Sequence, residues 1–461
     1  MVYIIMLDII FVNTFFLNIF LLKTYVYDND NALVYIINFK EENNRMKKEF
    51  HKKNRELLYN NMEPGSLSIL FSGHAPRKTG DEYYPYFANR SFVYMTGIEQ
   101  ENSILLAYKI DGTTKEILFL LPPNLLEERW SGKRLIETEA QDASGVDNIK
   151  YIQEFKGYVD QMFRSNQAEL LYLDFDKLME EEPDNDSYKL ASYVKTRYPF
   201  IRIKNLQPQL RKQRTIKSSC EIEAMKTAEE ITKAGIIAMM QSSKPGMYEY
   251  QYKAEFDYAL ANHGVLSPGF PSIVSAGKNN FCIHYYSYKG QAQDGDMILN
   301  DVGACYDNVI NDVSRGWPCN GKFSEKQRLL YECAYATSNH MFDILKPGIP
   351  MKDVDLIARK FNFEQLKNIG LCNKYEEAGK YIWHGGAHHV GYDVHDMVSP
   401  TEDMITTPGM VFCVDIGIYC EDWGIGFRLE DNCLITESSC ENLSAVTPRS
   451  IEDIEAIMGK R

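Results

Sequence analysis

The chain carries no cysteine before Cys220, and its ten cysteines form no CxxC pair and no regular spacing. That excludes a zinc ribbon and a disulfide framework, and fits free buried thiols in a reducing compartment. Positive charge is also in deficit, with 50 Lys and Arg against 64 Asp and Glu and a formal net charge of −14. Binding phosphates needs concentrated Lys and Arg, so the balance argues against a nucleic-acid partner. No repeat or low-complexity segment occurs. At 461 residues, 44% hydrophobic and 25% charged, the composition is that of a globular protein long enough for two or three domains. Histidine is scarce as well, and four of the nine, His384, His388, His389 and His395, fall in one short stretch.

The one long hydrophobic run is residues 2–22, "VYIIMLDIIFVNTFFLNIFLL", long enough to span a bilayer. Asp8, Asn13 and Asn18 interrupt it, no basic segment precedes it and no small-residue cleavage site follows. The expectation is instead that translation starts at Met46, where "MKKEFHKKNRELLYNN" opens a basic, helix-forming segment, leaving 1–45 as an apolar extension. A cytoplasmic protein follows; the alternative is a membrane anchor through 2–22.

Between Glu63 and Asn205 the runs "SLSILF", "SFVYMTGI", "SILLAYKI", "EILFLLPP" and "ELLYLDF" predict strands of a mixed α/β domain, 46–205, with nothing catalytic in it. The basic stretch "NLQPQLRKQRTIKSS" marks a boundary, and a second domain runs over 206–461. It opens with a helix whose capping box is Ser218 and Glu221. Two strand-rich halves follow, separated by a helix over 324–345, which implies a cleft between similar halves.

Carboxylates stand in those apolar strands. With Asp307 and Asn308 as a two-residue loop, Asp312 pairs with position 303 and shares a face with Asp301. With Asp422 and Trp423 as the loop of "FCVDIGIYCEDWGIGFRLED", Asp415 falls directly opposite Glu430. Like charges facing across a ladder are destabilising unless positive charge lies between them, and a divalent cation is the strongest such partner. Four carboxylates with an imidazole make a hard, oxygen-rich set that suits manganese.

The segments "NDVGACYDNVINDVSRGWPCNGKFSEKQ", "WHGGAHHVGYDVHD", "TTPGMVFCVDIGIYCEDWGIGFRLEDN" and "NFCIHYY" resemble the pita-bread metallopeptidases of the aminopeptidase P and prolidase branch. "PYFANRSFVYMTG" resembles that family's creatinase-type amino domain. The resemblance implies an α+β protein: an N-terminal α/β creatinase-type domain and a C-terminal pita-bread catalytic domain. It also implies two divalent ions held by Asp301, Asp312, His388, Asp415 and Glu430. His284 and His395 would contact substrate and stabilise the reacting carbonyl, and His384 and Tyr419 would line the cleft. Arg428 would stand beside the last ligand, and Asp415 would carry the proton to the leaving nitrogen; His389 is read as packing. Asp415 stands where the family usually has glutamate, and Ile416 where it usually has proline. The implied activity is that of an Xaa-Pro aminopeptidase acting as a homo-oligomer, dimer or tetramer, on peptides with proline second. The rivals are an Xaa-Pro dipeptidase and a non-catalytic binding protein of the same fold.

Overall fold

The computed structural model describes residues 46–110, 112–396 and 404–459. Residues 46–461 form one unit; the apolar run at 2–22 lies outside the described residues. Among the described residues no helix is long and apolar enough to cross a membrane.

The first half is built on a six-stranded mixed sheet in the order Ile149–Tyr151, Thr113–Leu120, Ile104–Ile110, Ser66–Phe71, Leu170–Leu173, Arg202–Asn205. Its central strands read as continuous apolar runs because both faces are covered. Leu67, Ile69, Leu106, Phe119 and Leu171 pack beneath helices Ile152–Arg164 and Asp186–Arg197. The alternate residues Leu70, Leu105, Leu118 and Leu170 pack against helices Lys48–Asn60 and Arg90–Thr96. The last of these is a correction: "SFVYMTGI" was expected as a strand and is a helix. Asn89 caps it by accepting from the Phe92 N–H at 2.9 Å, and Gly97 closes it at φ +67°, where a Cβ would lie 2.5 Å from His51 Nε2. All of Arg90–Thr96 is buried, and a short wholly buried helix shows the same unbroken run as a buried strand.

The second half repeats one pattern twice. Helices Ser219–Ser242 and Glu249–Asn262 precede strands Ile273–Ala276, Met297–Val302 and Val313–Pro318; helices Glu325–Ile344 and Met351–Asn368 precede strands Ala387–His389, Val411–Cys420, Ile425–Ile435 and Cys440–Asn442. The first helix begins with Glu221 reaching back to the Ser218 N–H at 2.7 Å, while the Ser218 hydroxyl donates to the same carboxylate. The two sheets meet where Val313–Pro318 lies on Ile425–Ile435. Gly316 permits that approach, since a Cβ on it would sit 2.7 Å from Phe427 Cβ.

A candidate metal centre between two hairpins

Asp307 and Asn308 form the tip of the first hairpin at φ +48° and +69°, the left-handed pair of a type I′ turn. The expected register holds, with Asp301 opposite Ser314 and Val302 opposite Val313. Asp312, however, lies one residue before its strand rather than within it. The ladder is interrupted because Asn311 Oδ1 takes the Ala304 N–H, and Asn432 takes over the Asp312 backbone, accepting from its N–H at 3.3 Å and donating to its carbonyl at 2.7 Å. In the second hairpin Asp415 stands opposite Glu430. Its turn is a single 3₁₀ turn over Glu421–Trp423, ended by Gly424 at φ +65°.

Asp312, His388 and Glu430 each offer a ligand atom within 4.8 Å of the others, and Cys413 joins them. His388 Nε2 lies 3.1 Å from Glu430 Oε1 and 3.7 Å from Asp312 Oδ2. The other two acids each have one oxygen engaged: Asp301 Oδ2 accepts from Arg428 Nη2 at 2.7 Å, and Asp415 Oδ2 lies 3.0 Å from His384 Nδ1. Asp301 Oδ1, Asp312 Oδ1 and Asp415 Oδ1 are buried and receive no hydrogen bond. Three orphaned carboxylate oxygens beside an imidazole fit a divalent cation, because burial without a partner is otherwise costly.

The electrostatics carry the same strain. Burial, then Glu430 and Asp301, push the Asp312 carboxyl well above its usual range; burial and Asp415 raise Glu430. Burial also presses on Asp415, but His384, Arg428 and His388 hold it below the ordinary carboxylate range. For His388, burial favours the neutral ring, yet the Glu430 carboxylate outweighs it and lifts the pKa to about 9. The ring therefore competes for a proton wherever a cation does not take its lone pair.

Around this cluster Arg428 ties the cleft together, donating from Nη1 to the Tyr419 hydroxyl at 3.1 Å and to the Ile283 carbonyl at 3.1 Å. His384 Nε2 meets the same hydroxyl at 3.1 Å, and Trp383 stacks on the Tyr419 ring at 4.6 Å. His395 stands edge-on to His388 at 4.6 Å, with His284 6.5 Å from it, both exposed at the rim. Burial, then His388 and His284, lower the His395 pKa. His389 turns away and packs on Phe412 at 5.9 Å.

Residues 223–437 match metallopeptidase family M24, and residues 51–172 match the aminopeptidase P N-terminal domain. A Xaa-Pro aminopeptidase of Haemophilus influenzae is 30% identical over 431 residues, covering 90% of this chain and 98% of the relative. The chain belongs to metallopeptidase family M24. Another Xaa-Pro aminopeptidase, from Escherichia coli, is 29% identical over 438 residues, 89% of this chain and 98% of the relative. The solved structure of aminopeptidase P from Escherichia coli with the inhibitor Pro-Leu superposes with TM-score 0.83 at 28% identity, covering 90% of this chain and 99% of that one. The pita-bread fold with its aminopeptidase P-type amino domain is thus the fold of this M24 chain, and the family binds divalent metal.

Several residues that shape this M24 site were not found from sequence. Ser314 Oγ donates to Glu430 Oε2 at 2.8 Å. The fully buried Arg315 donates to the Glu430 carbonyl at 2.8 Å and to Asp431 Oδ1 at 2.7 Å, fixing the backbone that presents Glu430. Asn432 is held by Glu229 Oε1 at 2.7 Å. Period-2 alternation was the available signal: Ser314 is opposite Asp301, and Cys413 and Asn432 each stand two residues from an expected ligand.

Proposed function

We propose that the chain is a Xaa-Pro aminopeptidase whose ions are held by Asp301, Asp312, His388, Asp415 and Glu430. The observation that carries this is the convergence of buried, donor-less carboxylate oxygens from both hairpins beside His388. Divalent ions bound there supply Lewis acidity and a water acidic enough to act as nucleophile near neutral pH. We further propose manganese, which suits four carboxylates and one imidazole, in a cytoplasmic homo-oligomer, dimer or tetramer. The reducing cytoplasm is supported by the ten cysteines, all free; the oligomer rests on analogy with the family.

The residues divide the work. Arg428 and His384 each occupy one oxygen of Asp301 and Asp415, leaving the other to face the cleft. His395 donates a hydrogen bond to the oxygen on which negative charge develops, with His284 beside it at the rim. Asp415, held ionised by His384 and Arg428, takes the proton of the attacking water and passes it to the leaving nitrogen. That nitrogen belongs to a proline, whose tertiary amide has no N–H and a fixed ring, and the half-buried Trp383, stacked on the fully buried Tyr419, is the flat apolar surface at this side of the site. The acidic cleft holds the free amino group of the peptide.

Asp415 is one methylene shorter than glutamate, and a misplacement of about 1 Å in such a site costs on the order of a hundredfold in rate. The expectation is an active enzyme with an altered metal preference. Metal-free protein titrated with manganese and assayed on Xaa-Pro dipeptide and Xaa-Pro-Xaa tripeptide tests this, with Asp415→Glu in parallel. Tripeptide cleavage by the wild type supports the reading. A silent wild type rescued by Asp415→Glu refutes the claim that Asp415 suffices, and cleavage of the dipeptide alone makes the enzyme a dipeptidase.

A further inference from the structure

Cys413 lies two residues before Asp415 in strand Val411–Cys420, so the two side chains leave the same face of the ladder. It stands opposite His388 on one neighbouring strand and Asn432 on the other. The residue is fully buried, and its Sγ lies within 4.8 Å of one ligand atom each from Asp312, His388 and Glu430, which lie equally close to one another. Four donors around a tetrahedral ion with bonds of about 2.0–2.3 Å stand roughly 3.3–3.8 Å apart, so only a small inward movement separates this group from a closed site. The thiol's contact with Asn432 Oδ1, at 3.8 Å, is long and costs little to release.

Resting on the metalloaminopeptidase reading, we propose that Cys413 is a fourth donor at the position formed by Asp312, His388 and Glu430, and that this position takes a thiophilic divalent ion, zinc or cadmium, in preference to manganese. The sulfur is a soft ligand, imidazole is intermediate and the two carboxylates accept either class. Asp301 and Asp415 offer oxygen alone, so the donor set between the two hairpins is unequal: hard where those two acids stand, softened by sulfur beside His388. As the metal–sulfur bond forms, the thiol proton passes to water; no electron is transferred and no oxidant is needed. Zinc or cadmium would therefore displace manganese from one position and leave the other manganese-like, making occupancy respond to the ratio of the two metals.

The test uses the full chain, stripped with chelator and titrated calorimetrically with zinc, cadmium and manganese, in the wild type and in Cys413→Ser and Cys413→Thr. Cobalt loading gives an independent reading through the thiolate-to-cobalt charge-transfer absorption. Both substitutions are expected to weaken zinc and cadmium at least about tenfold and manganese less than about threefold, and to abolish that absorption. Unchanged zinc affinity in either folded variant overturns the proposal, as does the absence of the absorption in cobalt-loaded wild type, which decides the matter even if both variants misfold. If neither zinc nor manganese binds the wild type, the metalloaminopeptidase reading itself fails; if both bind and the variants match the wild type, only the role of Cys413 falls.

Discussion

Two sets of buried strands in this molecule look alike in burial and differ in content. In the six-stranded sheet, Ser66–Phe71 and Leu170–Leu173 bury leucine, isoleucine, serine and tyrosine. In the catalytic half, Val411–Cys420 and Ile425–Ile435 are buried at every position, yet they hold Asp415, Arg428, Glu430 and Asp431. Burial alone would favour the first composition everywhere. The second persists because each charge is answered. Asp431 is paired with Arg315 and Arg449, Asp301 with Arg428, and Asp415 with His384, while Asp301, Asp312 and Asp415 each keep one buried oxygen without a hydrogen bond where the two hairpins face each other. The six-stranded sheet is thus held by packing, and the paired hairpins by charge balance that a cation completes.

The largest effect expected from breaking this contrast is at Asp312. Asp312→Ala should lower kcat/KM by at least on the order of a thousandfold, measured on an Xaa-Pro tripeptide with metal content checked in parallel. In chelator, the same substitution should leave the melting temperature unchanged or raise it, because it removes a buried carboxyl crowded by Glu430 and Asp301. A lower melting temperature without metal would show that Asp312 is structural.

Leu171→Ala should do the reverse. It truncates a fully buried side chain of the six-stranded sheet and should cost about 2–5 kcal/mol of stability by denaturant titration, with metal affinity unchanged. Weakened metal binding there would mean that the two halves are energetically continuous.

The smallest effect is one of pH. Burial raises Glu229 to about 8, while its Oε1 accepts from Asn432 and from Ser444 at 2.9 Å. The native state keeps that proton while the unfolded chain loses it near the ordinary value, 4.5, so this group's contribution to stability falls as pH rises from 4.5 to 8. In the other half, His51 is pushed down to about 4, mainly by burial, and its contribution is lost as pH falls from 6.5 to 4. Glu229→Gln should flatten the decline between pH 4.5 and 8 seen by thermal melting and leave the loss tied to His51 unchanged. An unchanged slope there would mean that Glu229 is already ionised.

Much of the catalytic half was legible because it rests on local arithmetic. Once the turn residues of a hairpin are recognised, the period of two fixes which residues share a face, and that placed Asp415 opposite Glu430 and Asp312 opposite position 303. The buried helix Arg90–Thr96 was not legible, since complete burial erases the helical period. Asp312 was expected inside its strand; Asn311 and Asn432, which take it out of the ladder, are ordinary polar residues until the two hairpins meet. Cys413 and Arg315 were missed for a related reason: alternation gives the face that each side chain leaves from, but the group it meets there is set by how the strands and sheets pack.

The sequence by itself determined the strands, the turns, the pairing within each hairpin and the presence of acids where apolar residues belong, because these depend on neighbours a few positions apart. The tertiary structure alone decided that Asp312 and His388 reach Glu430, that Asp301 is answered by Arg428, and that a thiol stands beside three oxygen and nitrogen donors. Those contacts join residues from separate strands and both sheets, and which of them meet is set by how the sheets pack, a property of the whole core rather than of any segment.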